Sequence, residues 1–152
     1  MIQTISKSTT LYEIDYLLWT EETIAKLKAR DFDRVDLENL IEEIEDLGRS
    51  QKRELKQRLK TLVEHLLKRL YVDMPQEFNG WERTIREQRQ QIKLELMDSP
   101  SLKSIWEKSF DLAWQFALET VRDDYPQFDF PDTWQFKRHI DAILNIKFWE
   151  IK

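Results

Sequence analysis

Apolar positions recur at helical spacing along most of the chain, most strongly from Asp36 to Tyr71. There Leu37, Leu40, Ile41, Ile44 and Leu47 are followed by Leu55, Leu59, Leu62, Val63, Leu66, Leu67 and Leu70, the stripe of an amphipathic helix. The stretch holds no proline, Asp36 suits an N-cap, and Glu38 places negative charge in the first turn. A straight helix of this length would run roughly 54 Å, against a diameter of ~40 Å for a compact domain of this size. The spacing therefore predicts two helices, or one sharply bent, with the joint at Gly48–Ser50: Gly48 as the residue past a helix end and Ser50 as the next cap.

The rest of the pattern is helical too. Leu11, Ile14, Leu17, Leu18, Ile24 and Leu27 predict a first helix over Thr10–Ala29 with that stripe inward, widened by Tyr12, Tyr16 and Trp19. Pro75, Asn79 and Gly80 mark Val72–Gly80 as a loop. Asn79 and Glu82 then form a capping box for a helix to about Met97, with Trp81, Ile85, Gln88, Ile92 and Leu96 on its inner face and Arg83, Arg86, Arg89 and Lys93 on the others. Ser99-Pro100 starts a further helix to Asp123. It carries two apolar stripes: Leu102, Ile105, Trp106, Ser109, Ala113, Phe116, Ala117 and Thr120, and beside it Phe110, Trp114, Leu118 and Val121. The second stripe needs a cover, either the C-terminal segment or another subunit. A last helix is expected over Trp134–Asn145. The resulting architecture is an all-α, single-domain bundle of five to six helices over residues 11–152, after a flexible segment 1–10. Trp81, Ile85, Leu62, Leu66, Ile105, Trp106, Ala113 and Phe116 are its expected core.

Composition sharpens this picture. Two glycines and four prolines in 152 residues leave too little punctuation for a sheet. The absence of cysteine removes disulfides, thiolate metal sites and cysteine nucleophiles, and suits a cytoplasmic location. A net charge of −5 argues against nucleic acid or anionic lipid as a partner. The N-terminal residues show neither a secretory nor a membrane-spanning apolar run.

Candidate chemistry is sparse. Glu38, Glu42, Glu43, Glu45 and Asp46 cluster on a helix, but a metal-binding bundle would add Glu-x-x-His pairs. Leu62 and Phe136 stand three residues before the two histidines, His65 and His139, so no metal and no cofactor is expected. No phosphate loop, nucleophile elbow or dinucleotide fingerprint occurs. His65 borders the apolar stripe. If the first half of the long stretch folds back at Gly48, Glu42 or Glu45 comes near it, and an antiparallel return brings Arg86 or Arg89 with Trp81. That set is the candidate site: His65, Glu42 and Glu45 for acid–base chemistry, and Trp81, Arg86 and Arg89 for binding. A buried polar network that fixes the packing is the competing reading of the same residues.

The chain resembles the mostly cyanobacterial family of domains of unknown function numbered twenty-nine. The resemblance rests on Leu11-Tyr12-Glu13 to Trp19, on Asp36-Leu37-Glu38-Asn39-Leu40-Ile41-Glu42-Glu43-Ile44-Glu45 with Leu47-Gly48, and on His65-Leu66-Leu67-Lys68. Trp81 with Thr84-Ile85-Arg86 and Arg89, and Ser99-Pro100-Ser101-Leu102, extend it. The resemblance implies an all-helical fold and transfers no activity and no catalytic residue. Three functions are weighed. The leading one is a small interaction protein without catalytic activity, self-associating as a homodimer or binding another protein. The others are a hydrolase or anion-binding protein using His65, Glu42 and Arg89, and a nucleic-acid-associated regulator using the Arg83–Lys93 face.

Overall fold

In the computed structural model, which describes residues 10–151, the chain is all-α. Six α-helices follow one another: α1 Leu11–Ile14, α2 Tyr16–Lys28, α3 Leu37–Tyr71, α4 Pro75–Asp98, α5 Trp106–Asp124 and α6 Ile140–Asn145. Short 3₁₀ segments lie at Phe32–Arg34, Pro100–Ile105 and Phe148–Glu150. No strand occurs among the described residues. The chain divides into two compact units, Met1–Arg49 and Ser50–Lys152. The expectation of a flexible segment 1–10 falls, except for Thr10, outside the described residues.

In the first unit the expected single helix is two. Asp15 separates them and accepts the Leu18 amide at 3.0 Å as the cap of α2, while Thr10 accepts from the Glu13 amide to cap α1. Short polar side chains at a helix start satisfy amides that the helix cannot. Tyr12, Tyr16 and Trp19 cluster with ring centroids 4.8–5.9 Å apart, and both tyrosine hydroxyls donate to Glu43 on α3, Tyr16 at 2.6 Å. Trp19, Thr23 and Val35 are buried. The expected inward stripe is not: Ile14, Leu17, Leu18 and Ile24 are exposed. The aromatic face of α2, not its aliphatic face, turns to α3.

The predicted joint at Gly48–Ser50 is absent. α3 is a single helix of 35 residues, capped as expected by Asp36, whose carboxylate accepts the Asn39 amide. A glycine inside a helix costs only about 1 kcal/mol, and neither glycine has a positive φ. A break would be needed only if both halves of the stretch shared one core, whereas the boundary between the two units falls inside the helix.

In the second unit α3 contributes Leu55, Leu59, Leu62, Val63, Leu66 and Leu67, all fully buried, each such side chain contributing about 1.5–3 kcal/mol. α4 supplies Trp81, Ile85, Ile92 and Leu96 and α5 supplies Trp106, Phe110, Ala113, Ala117 and Val121 to the same core. Ion pairs tie α3 to α4: Arg58 to Glu95 at 2.9 Å and Arg69 to Glu82 at 2.8 Å.

Several boundaries differ from expectation. α4 begins at Pro75, so Asn79 and Gly80 lie inside it and the capping box is not a cap; proline in the first turn with Glu77 behind it is the stronger start signal. Pro100–Ile105 is 3₁₀, and α5 starts at Trp106. The last helix shrinks to Ile140–Asn145, because Trp134 and Phe136 join an aromatic cluster with Phe110, Trp114 and Phe148 at 5.0–6.1 Å. Of the expected core, Ile105 is half-buried and Phe116 exposed. Phe110, Leu118 and Val121 of the second α5 stripe are buried within the chain itself, with Trp134 of the C-terminal segment against Phe110 and Trp114, so the stripe needs no partner subunit to cover it.

Candidate functional site

His65 stands in the middle of the buried half of α3. Its side chain is half-buried, and its Nδ1–H donates to the Thr61 carbonyl at 2.8 Å, since a carbonyl can only accept. Burial pushes the imidazole below its ordinary value near 6.5, against the weaker opposing pull of that bond. The charged side chains that act on it are Lys68 and Glu64. The fold-back that would have carried Glu42 or Glu45 towards it does not occur, because α3 is unbroken; both carboxylates are exposed on the first unit's stretch of α3.

Trp81 is buried against Phe78 and Tyr125 at 6.0 and 6.2 Å. It is a packing residue and is not among those that line the cavity holding Arg86 and Arg89. Arg89 turns inward rather than outward. It is 8% exposed, its Nε–H donates to the Ile143 carbonyl at 2.9 Å, and an Nη–H donates to the Ile146 carbonyl at 2.6 Å. These carbonyls close the end of α6, where a cation also meets the negative end of the helix. Burial pushes its guanidinium down to about 10, still charged at neutral pH.

Arg86, Arg89 and Lys93 do come together. They line an open cavity of about 260 Å³ with Lys147, Trp149 and Glu82. Glu82 is bonded to Arg69, whereas Arg86, Lys93 and Lys147 make no ion pair among the described residues. The cavity is therefore cationic with one indole wall. Lys147 and Trp149 escaped sequence reasoning because more than fifty residues separate them from Lys93, the nearest of the α4 cations in the chain. The inward turn of Arg89 left a trace: it lies four residues after Ile85 and three before Ile92, on the buried ladder itself.

The most extensive unusual surface lies elsewhere. Among the described residues of the first unit, ten large apolar side chains are exposed, including Leu17 (67%), Leu37 (56%), Ile41 (54%), Ile44 (59%) and Leu47 (70%). Leu37, Ile41 and Ile44 continue, at helical spacing, the stripe that α3 buries from Leu55 onward. No group of three or more His, Asp or Glu side chains able to hold a metal ion occurs among the described residues, and no helix there is long and apolar enough to cross a membrane.

These features define an all-helical protein with many exposed apolar side chains on its first unit and a cationic cavity on its second. Residues 11–149 match the model of a family described as a domain of unknown function, DUF29, and the chain belongs to that family. Neither the curated proteins nor the solved structures include a match.

Proposed function

We propose that the protein acts by binding other protein chains, foremost a second copy of itself, in the cytoplasm and without catalytic activity of its own. The observation that carries this reading is the exposed apolar surface of residues 10–49. Large apolar side chains exposed in this number are costly to leave in water, and surfaces rich in them serve as protein-binding faces. Sedimentation velocity at tens of micromolar is expected to give a species larger than one 18.6 kDa chain. Ile41→Glu with Ile44→Glu, both at exposed positions, should return it to monomer without loss of helicity; an unchanged sedimentation coefficient would reject this face.

A second reading concerns anions. Arg86, Lys93 and Lys147 beside the anchored Arg89, with their one carboxylate neighbour already bonded, support binding of a small anion carrying an apolar or aromatic part against Trp149. Calorimetric titration with inorganic phosphate and with a nucleoside phosphate tests it. Binding that Arg86→Glu abolishes supports it, and no heat at millimolar ligand rejects it.

A further inference from the structure

We propose that two copies of the chain associate through α3 itself, antiparallel, about a twofold axis at Arg49. This deepens the self-association reading and rests on it. The inference begins with the distribution of charge along one unbroken helix. Glu38, Glu42, Glu45 and Asp46 precede Arg49, and Lys52, Arg53, Lys56 and Lys60 follow it. Residues three and four apart share a helix face, so Glu38, Glu42 and Glu45 form one row and Arg53, Lys56 and Lys60 another. The acidic row is spaced four then three. The basic row, read backwards, is also spaced four then three. An antiparallel second helix therefore meets Glu38 with Lys60, Glu42 with Lys56, Glu45 with Arg53 and Asp46 with Lys52, every pair centred on residue 49. A twofold axis makes each pair occur twice, and an isologous contact requires such self-complementarity.

The surroundings agree. Glu38, Glu42, Glu45, Lys52 and Arg53 are exposed, and Lys56 and Lys60 are half-exposed. Glu38, Glu42, Glu45, Lys52, Arg53 and Lys56 form no ion pair among the described residues. Lys60 and Asp46 are bonded only to near neighbours on the same helix, Glu64 and Arg49, pairs worth little at a surface and readily exchanged. Both rows have apolar companions. Beside the acids run exposed Leu37, Ile41 and Ile44. Beside the cations lies an apolar hollow of about 190 Å³, lined by Leu112, Ala113 and Phe116 of α5 with Arg53, Lys56 and Lys60 on its rim. Leu112 and Phe116 are 40% and 47% exposed. An acidic helix with an apolar flank thus has the complement of a basic groove with an apolar floor, on the same molecule and in reciprocal register. Pairing of the two first units with each other is disfavoured, since residues 1–49 carry twelve acidic and six basic side chains.

Charge reversal tests the register on the full chain. The variant Glu42→Lys/Glu45→Lys and the variant Arg53→Glu/Lys56→Glu each place like charges opposite one another, and each is expected to weaken self-association roughly a hundredfold. An equimolar mixture should restore association, as a heterodimer, because every reversed pair is then matched again. Circular dichroism verifies that both variants fold. Since the protein has no cysteine, Arg49→Cys provides an independent readout: mild oxidation should link two chains through that position, and Lys28→Cys should not link. A wild-type chain that remains monomeric overturns the self-association reading and the pairing with it. A dimer indifferent to both reversals, or variants that fail to rescue each other, overturns the α3 pairing alone.

Discussion

Arg89 shows how a single cation can hold a chain end in place. Its two hydrogen bonds reach carbonyls more than fifty residues away, and no carboxylate among the described residues pairs with it. Arg89→Met should destabilise the protein by about 2–4 kcal/mol, measured by urea unfolding, because two buried carbonyls lose charged donors. Arg89→Lys should recover only part of this, since one ammonium lacks the planar fork that spans both carbonyls. His65 gives a pH signature. Its imidazole is held below the free value by burial, so folding favours the neutral form. That contribution is complete above about 6.5 and is lost as pH falls from there towards the lower folded value, because the unfolded chain takes up the proton first. Comparing unfolding at pH 7.5 and 5.5, the wild type should lose stability that His65→Gln, though weaker at pH 7.5, does not lose. An equal pH dependence in the two proteins would remove His65 from the acid response. At this scale the sequence was only partly legible. It placed His65 at the edge of the core correctly, but it set Arg89 on an outward face because a charged side chain is assumed to seek water until its partners are visible, and these are backbone carbonyls from distant sequence.

Among the elements, α3 is where periodicity proved both most and least informative. The apolar ladder from Leu37 to Leu70 identified the helix, and Asp36 identified its start. The error lay in treating Gly48 as punctuation. Helix propensity is a small term beside an apolar stripe, and a glycine whose added Cβ would meet nothing within 4 Å is tolerated rather than required. Gly80 inside α4 is in the same position. Gly80→Ala should therefore stabilise the protein by about 0.5–1 kcal/mol, seen as a higher denaturant midpoint with an unchanged slope; destabilisation would mean that the backbone there is not helical. The short reach of α6 was not legible for the opposite reason. Phe136 fits a helical spacing with Ile140 and Ile143, but it and Trp134 are claimed by rings on other elements, and tertiary packing overrides local preference where aromatic side chains have partners.

For the whole molecule, the fold class was legible from little more than the scarcity of glycine and the 3.6-residue period, whereas the division at residue 49 was not. An apolar stripe reads the same in sequence whether it is buried, as from Leu55, or exposed, as from Leu37 to Leu47. Charge differs between the halves: residues 50–152 hold seventeen acidic and eighteen basic side chains and are nearly neutral, unlike the acidic first 49. The C-terminal segment covers Phe110 and Trp114 through Trp134, which packs in turn on Phe148. Ending the chain after Asp129 should expose that stripe, and the truncated protein should aggregate or bind a hydrophobic dye where the full chain does not. The same cover has a consequence for the order of folding. A helix such as α5 forms from local contacts, whereas its roof must dock from a later segment, so an intermediate in which Trp134 and Phe148 have not yet docked leaves Phe110 open to water and prone to association.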